Sequence, residues 1–350
     1  MSEAYPRMER YSNKRFSEVI SEGFRFFGKN YLTLIVPLGL FLLISIIIKN
    51  LLVADMVWQS LQMTPAIDFI LVKDPSALTD ADLNFMMEYL ALSLFSGFIN
   101  SFVITIFNVL AMCLVSNYLY NKFIGNETKF FSEFKKAING KLIFVILLLG
   151  VGISIGSFLL YIPSIIIFGY YTFYVFTYNS DNSEDSNEPI RDAREIARKS
   201  FWKIIGVFVV SNLIISIIDI VFQFIIGDFL IQFYQTSWYN PSTRNFGMII
   251  LYDLIYYIVD LIFAPLFICL LTSLYVSLKT RREISVQYQT SYDQTPQSYG
   301  TPYHDDSRSI KSMNAVDKPR SGLYCPFCGQ FVKNKTQYCP HCGEQFNFEI

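Results

Sequence analysis

Apolar residues run without a charge from Tyr31 to Ile48, stop at Lys49, and recur in five further stretches, at about 89–117, 141–162, 163–179, 203–227 and 247–278. Each is at least as long as the roughly 17 residues that an α-helix, rising about 1.5 Å per residue, needs to cross a bilayer. The pattern therefore predicts an all-α polytopic membrane protein with six transmembrane helices. The fourth stretch is short and joins the third through Tyr161-Ile162-Pro163-Ser164. Between the first two, Leu51-Leu52-Val53 and Phe69-Ile70-Leu71-Val72 are apolar, but Asp55, Gln59, Gln62, Pro65 and Asp68 break any run of spanning length. Segment 51–88 reads as a cap on the outer face, with a re-entrant segment as the alternative.

Three stretches carry a different periodicity, with apolar residues at helical spacing and Lys or Arg opposite. They are Phe16, Val19, Ile20 and Phe27 before the first span, Phe131, Phe134 and Ile138 before the third, and Ile190, Ala193, Ile196 and Ala197 before the fifth. Each reads as an amphipathic helix in the inner interface. The first two share the pattern Phe-Ser-Glu (Phe16-Ser17-Glu18, Phe131-Ser132-Glu133). One interfacial helix plus a two-span hairpin, used three times, would be the repeating unit. The alternative is that any inner loop rich in Lys and Phe reads this way. Repeats suit transporters, whose sites lie between them, and also scaffolds.

Composition agrees with the spans: of 350 residues, 52% are hydrophobic and only 16% charged, too apolar for a soluble chain. The formal net charge of −1 lacks the basic excess that displaces counterions from phosphates, so nucleic acid is not an expected partner. Residues 1–30 hold six basic residues ahead of any long apolar run and show no small-residue cleavage site, which argues against a cleaved signal peptide. Lys and Arg then number nineteen in one set of alternating flanks and three in the other. Because basic residues resist translocation, this asymmetry puts both termini in the cytoplasm of a multi-pass cell-membrane protein.

Ile162-Pro163-Ser164-Ile165 between spans three and four, Ala197-Arg198-Lys199-Ser200-Phe201-Trp202 entering span five, and Leu271-Thr272-Ser273-Leu274-Tyr275 before Lys279-Thr280-Arg281-Arg282 carry a resemblance. Over residues 12–283 the chain resembles the membrane domain associated with bacterial and archaeal glycerophosphoryl diester phosphodiesterases and related uncharacterised six-span proteins. Ser164 stands where those relatives often have Gly. The soluble phosphodiesterase domain has no counterpart here, so the resemblance implies a prokaryotic six-span architecture and no activity.

Within the spans, Asp219, Asp253 and Asp260 have no Lys or Arg at comparable depth in the sequence reading, and an ionised carboxylate in hydrocarbon costs at least a few kcal/mol. Asp253, Tyr256 or Tyr257, and Asp260 share a helical face, and Asp219 and Asp253 lie at depths that let them meet. They form a possible intramembrane polar site: a shared proton in a proton-coupled carrier, or a hydrated vestibule with the carboxyls bonded to Tyr hydroxyls and Asn100. Gly152 and Gly156 offer a close helix approach, Pro265 a kink, and Cys113 and Cys269 small apolar filling.

Beyond span six, residues 283–321 turn polar, with Pro296, Pro302 and Pro319, and read as a flexible linker. Residues 322–350 then hold Cys325-Pro326-Phe327-Cys328-Gly329 and Cys339-Pro340-His341-Cys342-Gly343. Two Cys-x-x-Cys pairs supply four thiolates for one tetrahedral Zn²⁺, and Cys325, Cys328, Cys339 and Cys342 are the metal ligands of a zinc ribbon. Disulfides are the alternative, disfavoured in a reducing compartment. Four thiolates leave no open position, so the Zn²⁺ is structural and no catalytic residue is assigned. The ribbon has balanced charge and many aromatics for its size; Phe331 and Phe348 are the expected anchors for a cytoplasmic protein partner. The functional expectation is a non-enzymatic membrane scaffold or adaptor in contact with membrane lipid; a carrier of a small or lipid-like solute is the alternative.

Overall fold

The computed structural model describes residues 14–159, 161–179, 188–293, 323–324 and 331–332. These are almost wholly helical, and five helices are long and apolar enough to cross a membrane: Phe16–Leu71 (α1), Asp80–Phe123 (α2), Lys141–Phe158 (α4), Phe201–Phe233 (α8) and the Ile258–Ile284 part of Ile258–Asp293 (α10). Shorter helices are Phe130–Ala137 (α3), Ile162–Tyr171 (α5), Tyr174–Thr177 (α6), Glu188–Arg198 (α7) and Phe246–Tyr256 (α9). The chain is a multi-pass membrane protein.

In the body Phe16–Tyr275, α1 extends for 56 residues, about 84 Å at the α-helical rise and far more than a bilayer core. It continues through Pro37 and Pro65. Its buried face recurs every third or fourth residue from Val19 through Gly23, Phe26, Asn30, Leu34, Leu38, Leu42, Ile46 and Asn50 to Ala54. That spacing is one side of a single helix. Segment 51–88, read from the sequence as a cap on the outer face, is largely helical. Both helices of the first hairpin continue through it, joined by a turn at 72–79. There Thr79 caps α2 by a reciprocal bond with Asp82, Lys73 Nζ sits 2.8 Å from Asp82 Oδ1, and the backbone N–H and hydroxyl of Ser76 hold the Asp74 carboxyl below its usual pKa.

α1 packs against α9 and α10 in antiparallel register. Ser273 Oγ donates to the Val19 carbonyl (2.8 Å), a Cβ on Gly23 would meet Leu270, one on Gly39 would meet Leu261, and Asn50 bonds Asp253. As the α1 number rises, the partner number falls. α2 also returns to the starting end of α1, where Phe26 and Phe123 meet edge to face.

The third predicted span contains a wider π-helical turn, Ile146–Val151, where Gly150 lies close to Ile106 of α2. A hairpin follows in which a Cβ on Gly156 would come within 2.5 Å of the Ser164 backbone nitrogen and one on Gly152 within 3.3 Å of Ile167. Both glycines thus serve the close approach that their spacing predicts. The returning limb is α5 plus α6, and it comes back to its starting end: Asn139 Nδ2 donates to Asn179 Oδ1 (2.8 Å), and the Tyr178 hydroxyl lies 3.0 Å from the Ala137 carbonyl.

The three predicted interfacial helices differ. The first is simply the start of α1. In α7, Ala193, Ile196 and Ala197 are buried, so its apolar stripe packs on protein and not on lipid. Only α3 keeps an uncovered apolar face. In the remaining unit, α10 runs on to Asp293, into the stretch read as linker, and Leu323–Tyr324 (β1) pairs antiparallel with Phe331–Val332 (β2). Residues 294–322 lie outside those described. The α9/α10 break falls at Tyr257, while the helix passes through Pro265.

Candidate intramembrane polar site

On the buried stripe of α1 the positions after Leu42 and Ile46 are Lys49 and Asn50, where another aliphatic pair would continue the pattern. Both are buried, with 6% and 3% exposure. From α9, Asp253 turns inward beside Ile249. Lys49 Nζ lies 3.0 Å from Asp253 Oδ2, and Asn50 Nδ2 donates to the same oxygen at 2.7 Å. The ammonium also sits 4.5 Å from the Tyr257 ring centroid and 3.5 Å from its hydroxyl.

The sequence reading that Asp253 lacks a basic partner is thus corrected: its partner is Lys49, which had counted only as a flanking charge. The signal was present, since Lys49 and Asn50 continue the three-to-four-residue buried spacing and are followed by Leu51-Leu52-Val53-Ala54. In low dielectric the pair neutralises two charges that would each be costly alone.

A second ion pair lies nearby. Arg244, before α9, binds Asp55 of α1 and also bonds the Tyr239 carbonyl. Between the two pairs sits an apolar cluster in which Ala54, Trp238, Tyr239 and Ile249 are buried and Val57, Trp58, Leu61, Phe233 and Tyr252 pack around them. Aromatic groups from the α8–α9 connection thus pack on the extension of α1.

Asp219 and Asp260 are elsewhere in the arrangement. Gln223 Nε2 donates to Asp219 Oδ2 (2.8 Å), one turn along α8, and Asp260 is close enough to interact electrostatically with Asp219. Asp253 bonds Lys49 and Asn50 while Asp219 bonds Gln223, and no hydrogen bond joins Asp219 to Asp253 among the described residues. A one-residue break in helix assignment falls at Tyr257, between Asp253, which is buried, and Asp260, which is exposed. Asn100 Oδ1 is buried with no hydrogen-bond partner among the described residues.

Chemically, the Lys49–Asn50–Asp253 cluster is closed, with one carboxylate oxygen engaged by both nitrogen donors. Among the described residues no group of His, Cys, Asp and Glu is placed to hold a metal ion. Cys325, Cys328, Cys339, Cys342 and Phe348 lie outside the described residues; Phe331 opens β2.

The motif residues that carry the family resemblance have packing work in the body. Phe201 lies over Gly169, where a Cβ would sit 2.1 Å from its ring; Ser164 passes against Gly156 and its hydroxyl is 3.1 Å from that of Ser157; Tyr275 stacks on Phe176 at 4.5 Å. Compared with protein-family models, curated proteins and solved structures, the chain finds no match.

Proposed function

We propose that the chain is a non-enzymatic six-span membrane scaffold with both ends in the cytoplasm, whose C-terminal Cys₄ zinc ribbon docks a cytoplasmic protein. The observation that carries this reading is the closed Lys49–Asn50–Asp253 cluster. In a proton-coupled carrier intramembrane ionisable residues mark the proton pathway, whereas here the Lys49 charge is matched by Asp253 within the fold. Six crossings are supported by α5 and α6 returning to the Asn139 end and by Val19 lying beside Ser273. The packing of Gly156, Gly169 and Tyr275 is consistent with the architecture of the phosphodiesterase-associated membrane domain, without its enzymatic domain.

For the ribbon, support comes from the spacing of the four cysteines and from the β1–β2 pair, whose strands flank Cys325 and Cys328 in sequence with Tyr324 opposite Phe331. Strands on either side of a Cys-x-x-Cys pair suit a zinc ribbon. The donor set, four thiolates, fits one structural Zn²⁺. The test is affinity capture with the full chain in detergent. The expected result is a cytoplasmic protein retained with little salt sensitivity by the wild type, and weakened retention by Phe331→Ala or Phe348→Ala while zinc stays bound. Retention of nucleic acid that falls steeply with salt sinks the reading.

The proximity of Asp219 and Asp260 favours one second reading, a proton-coupled carrier of a small or lipid-like solute. Its test is uptake in proteoliposomes: loss of proton-coupled flux in Asp219→Asn and Asp260→Asn, with folding retained, supports transport. Wild-type vesicles without proton flux across the tested solute pools leave the scaffold.

A further inference from the structure

The eight-residue helix α3 is held on one face and bare on the other. On the held face Ala137 is fully buried and Glu133 is 6% exposed; Asn121 Nδ2 donates to Glu133 Oε2 at 3.2 Å and Lys136 Nζ to Oε1 at 3.0 Å. Away from that face Phe131 is 83% exposed, Lys135 one turn on is exposed, and Ile138, just past the helix end, is 60% exposed.

Only residues 138–140 separate α3 from α4, a helix apolar enough to span, in which Ile143, Phe144 and Leu147 are exposed. Exposed apolar residues on a spanning helix face acyl chains. The α3 face therefore meets the same bilayer at its edge, where Phe and Ile enter the acyl boundary and Lys stems extend toward headgroups.

Charge identifies which headgroups. Between residues 122 and 141 the chain has five lysines against two glutamates, and one of those glutamates is already neutralised by Lys136. Lys129 and Lys135 are exposed and make no ion pair among the described residues. A soluble acidic partner would match the lysines but not the bare Phe131 and Ile138, which stand a few residues before a spanning helix.

We propose that α3 and its flanking lysines form a docking surface for anionic phospholipid, with Lys129 and Lys135 on the headgroup phosphates and Phe131 and Ile138 in the acyl boundary. The surface rests on the six-span reading only for which leaflet it meets. Near an anionic surface each lysine contributes roughly fivefold in affinity, so removing two should cost about 10- to 30-fold.

The experiment uses the purified full chain in mild detergent, delipidated and titrated with micelles of phosphatidylglycerol or phosphatidylcholine, with bound lipid read by native mass spectrometry. Lys129→Gln/Lys135→Gln should weaken phosphatidylglycerol binding about 10- to 30-fold and leave phosphatidylcholine binding unchanged, while Lys129→Arg/Lys135→Arg restores it. Phe131→Ser should weaken both lipids. Both lysines are exposed, so these variants should fold; an unchanged elution profile checks this. Unchanged phosphatidylglycerol binding in the double variant overturns the proposal. So does displacement of the lipid by inorganic phosphate alone, which marks a free-anion site, or binding of an acidic peptide in its place, which marks a protein site. Reaction of labels on the wrong side of the membrane would overturn the six-span topology while leaving this lipid preference intact, so the two failures are distinguishable.

Discussion

Lys49 Nζ and Asp253 Oδ2 are 3.0 Å apart, joining the first predicted span to the last through charge where the surrounding stripe is aliphatic. Removing one partner strands the other in low dielectric, whereas removing both leaves an apolar contact. Lys49→Met or Asp253→Leu alone should each lower stability by about 3–5 kcal/mol. The double variant should recover most of that loss. Thermal unfolding of the detergent-solubilised protein measures the cycle, and additive single losses would show that the pair is not coupled.

Glycine packing gives a second test. A methyl at Gly156 meets the Ser164 backbone, which cannot move aside as a flexible side chain would. Gly156→Ala should cost about 1–3 kcal/mol by overpacking. Gly28 has nothing within 4 Å, and Gly28→Ala should gain up to about 1 kcal/mol from helix propensity. Opposite signs in the two melting shifts are the expected result.

The topology is checked by labelling. Ser76, Ser242 and Asn126 are all exposed in the fold, so single cysteines there, in a background lacking native cysteines, report sidedness and not burial. An impermeant maleimide should react from outside intact cells at positions 76 and 242. Reaction at 126 from outside would exclude six spans.

Purified protein should carry about one Zn²⁺ per chain, as one four-thiolate site implies. Cys328→Ser should release it and leave membrane insertion unchanged, because the spans do not contain the ligands. Atomic absorption on the intact and variant chains decides; iron in place of zinc, or zinc retained by the variant, means the ligand set is different.

Spanning helices were legible along the chain because hydrocarbon demands long uncharged runs and intrahelical hydrogen bonds, and both are local requirements. The spacing of Gly152 and Gly156 likewise announced a close helix approach. Segment 51–71 was not legible, since Asp55 looks like a span breaker until Arg244 is brought against it, and Trp238 and Tyr239 against Ala54, from the other end of the chain. Lys49 was hidden for the same reason: a lysine at the end of an apolar run marks a membrane boundary unless a distant carboxylate draws it inward. The apolar stripes of α3 and α7 share one periodicity, yet Ala193 and Ala197 face protein while Phe131 and Ile138 stay bare. Periodicity determines that a helix has an apolar face; only the packing of neighbouring helices decides whether protein or lipid covers it.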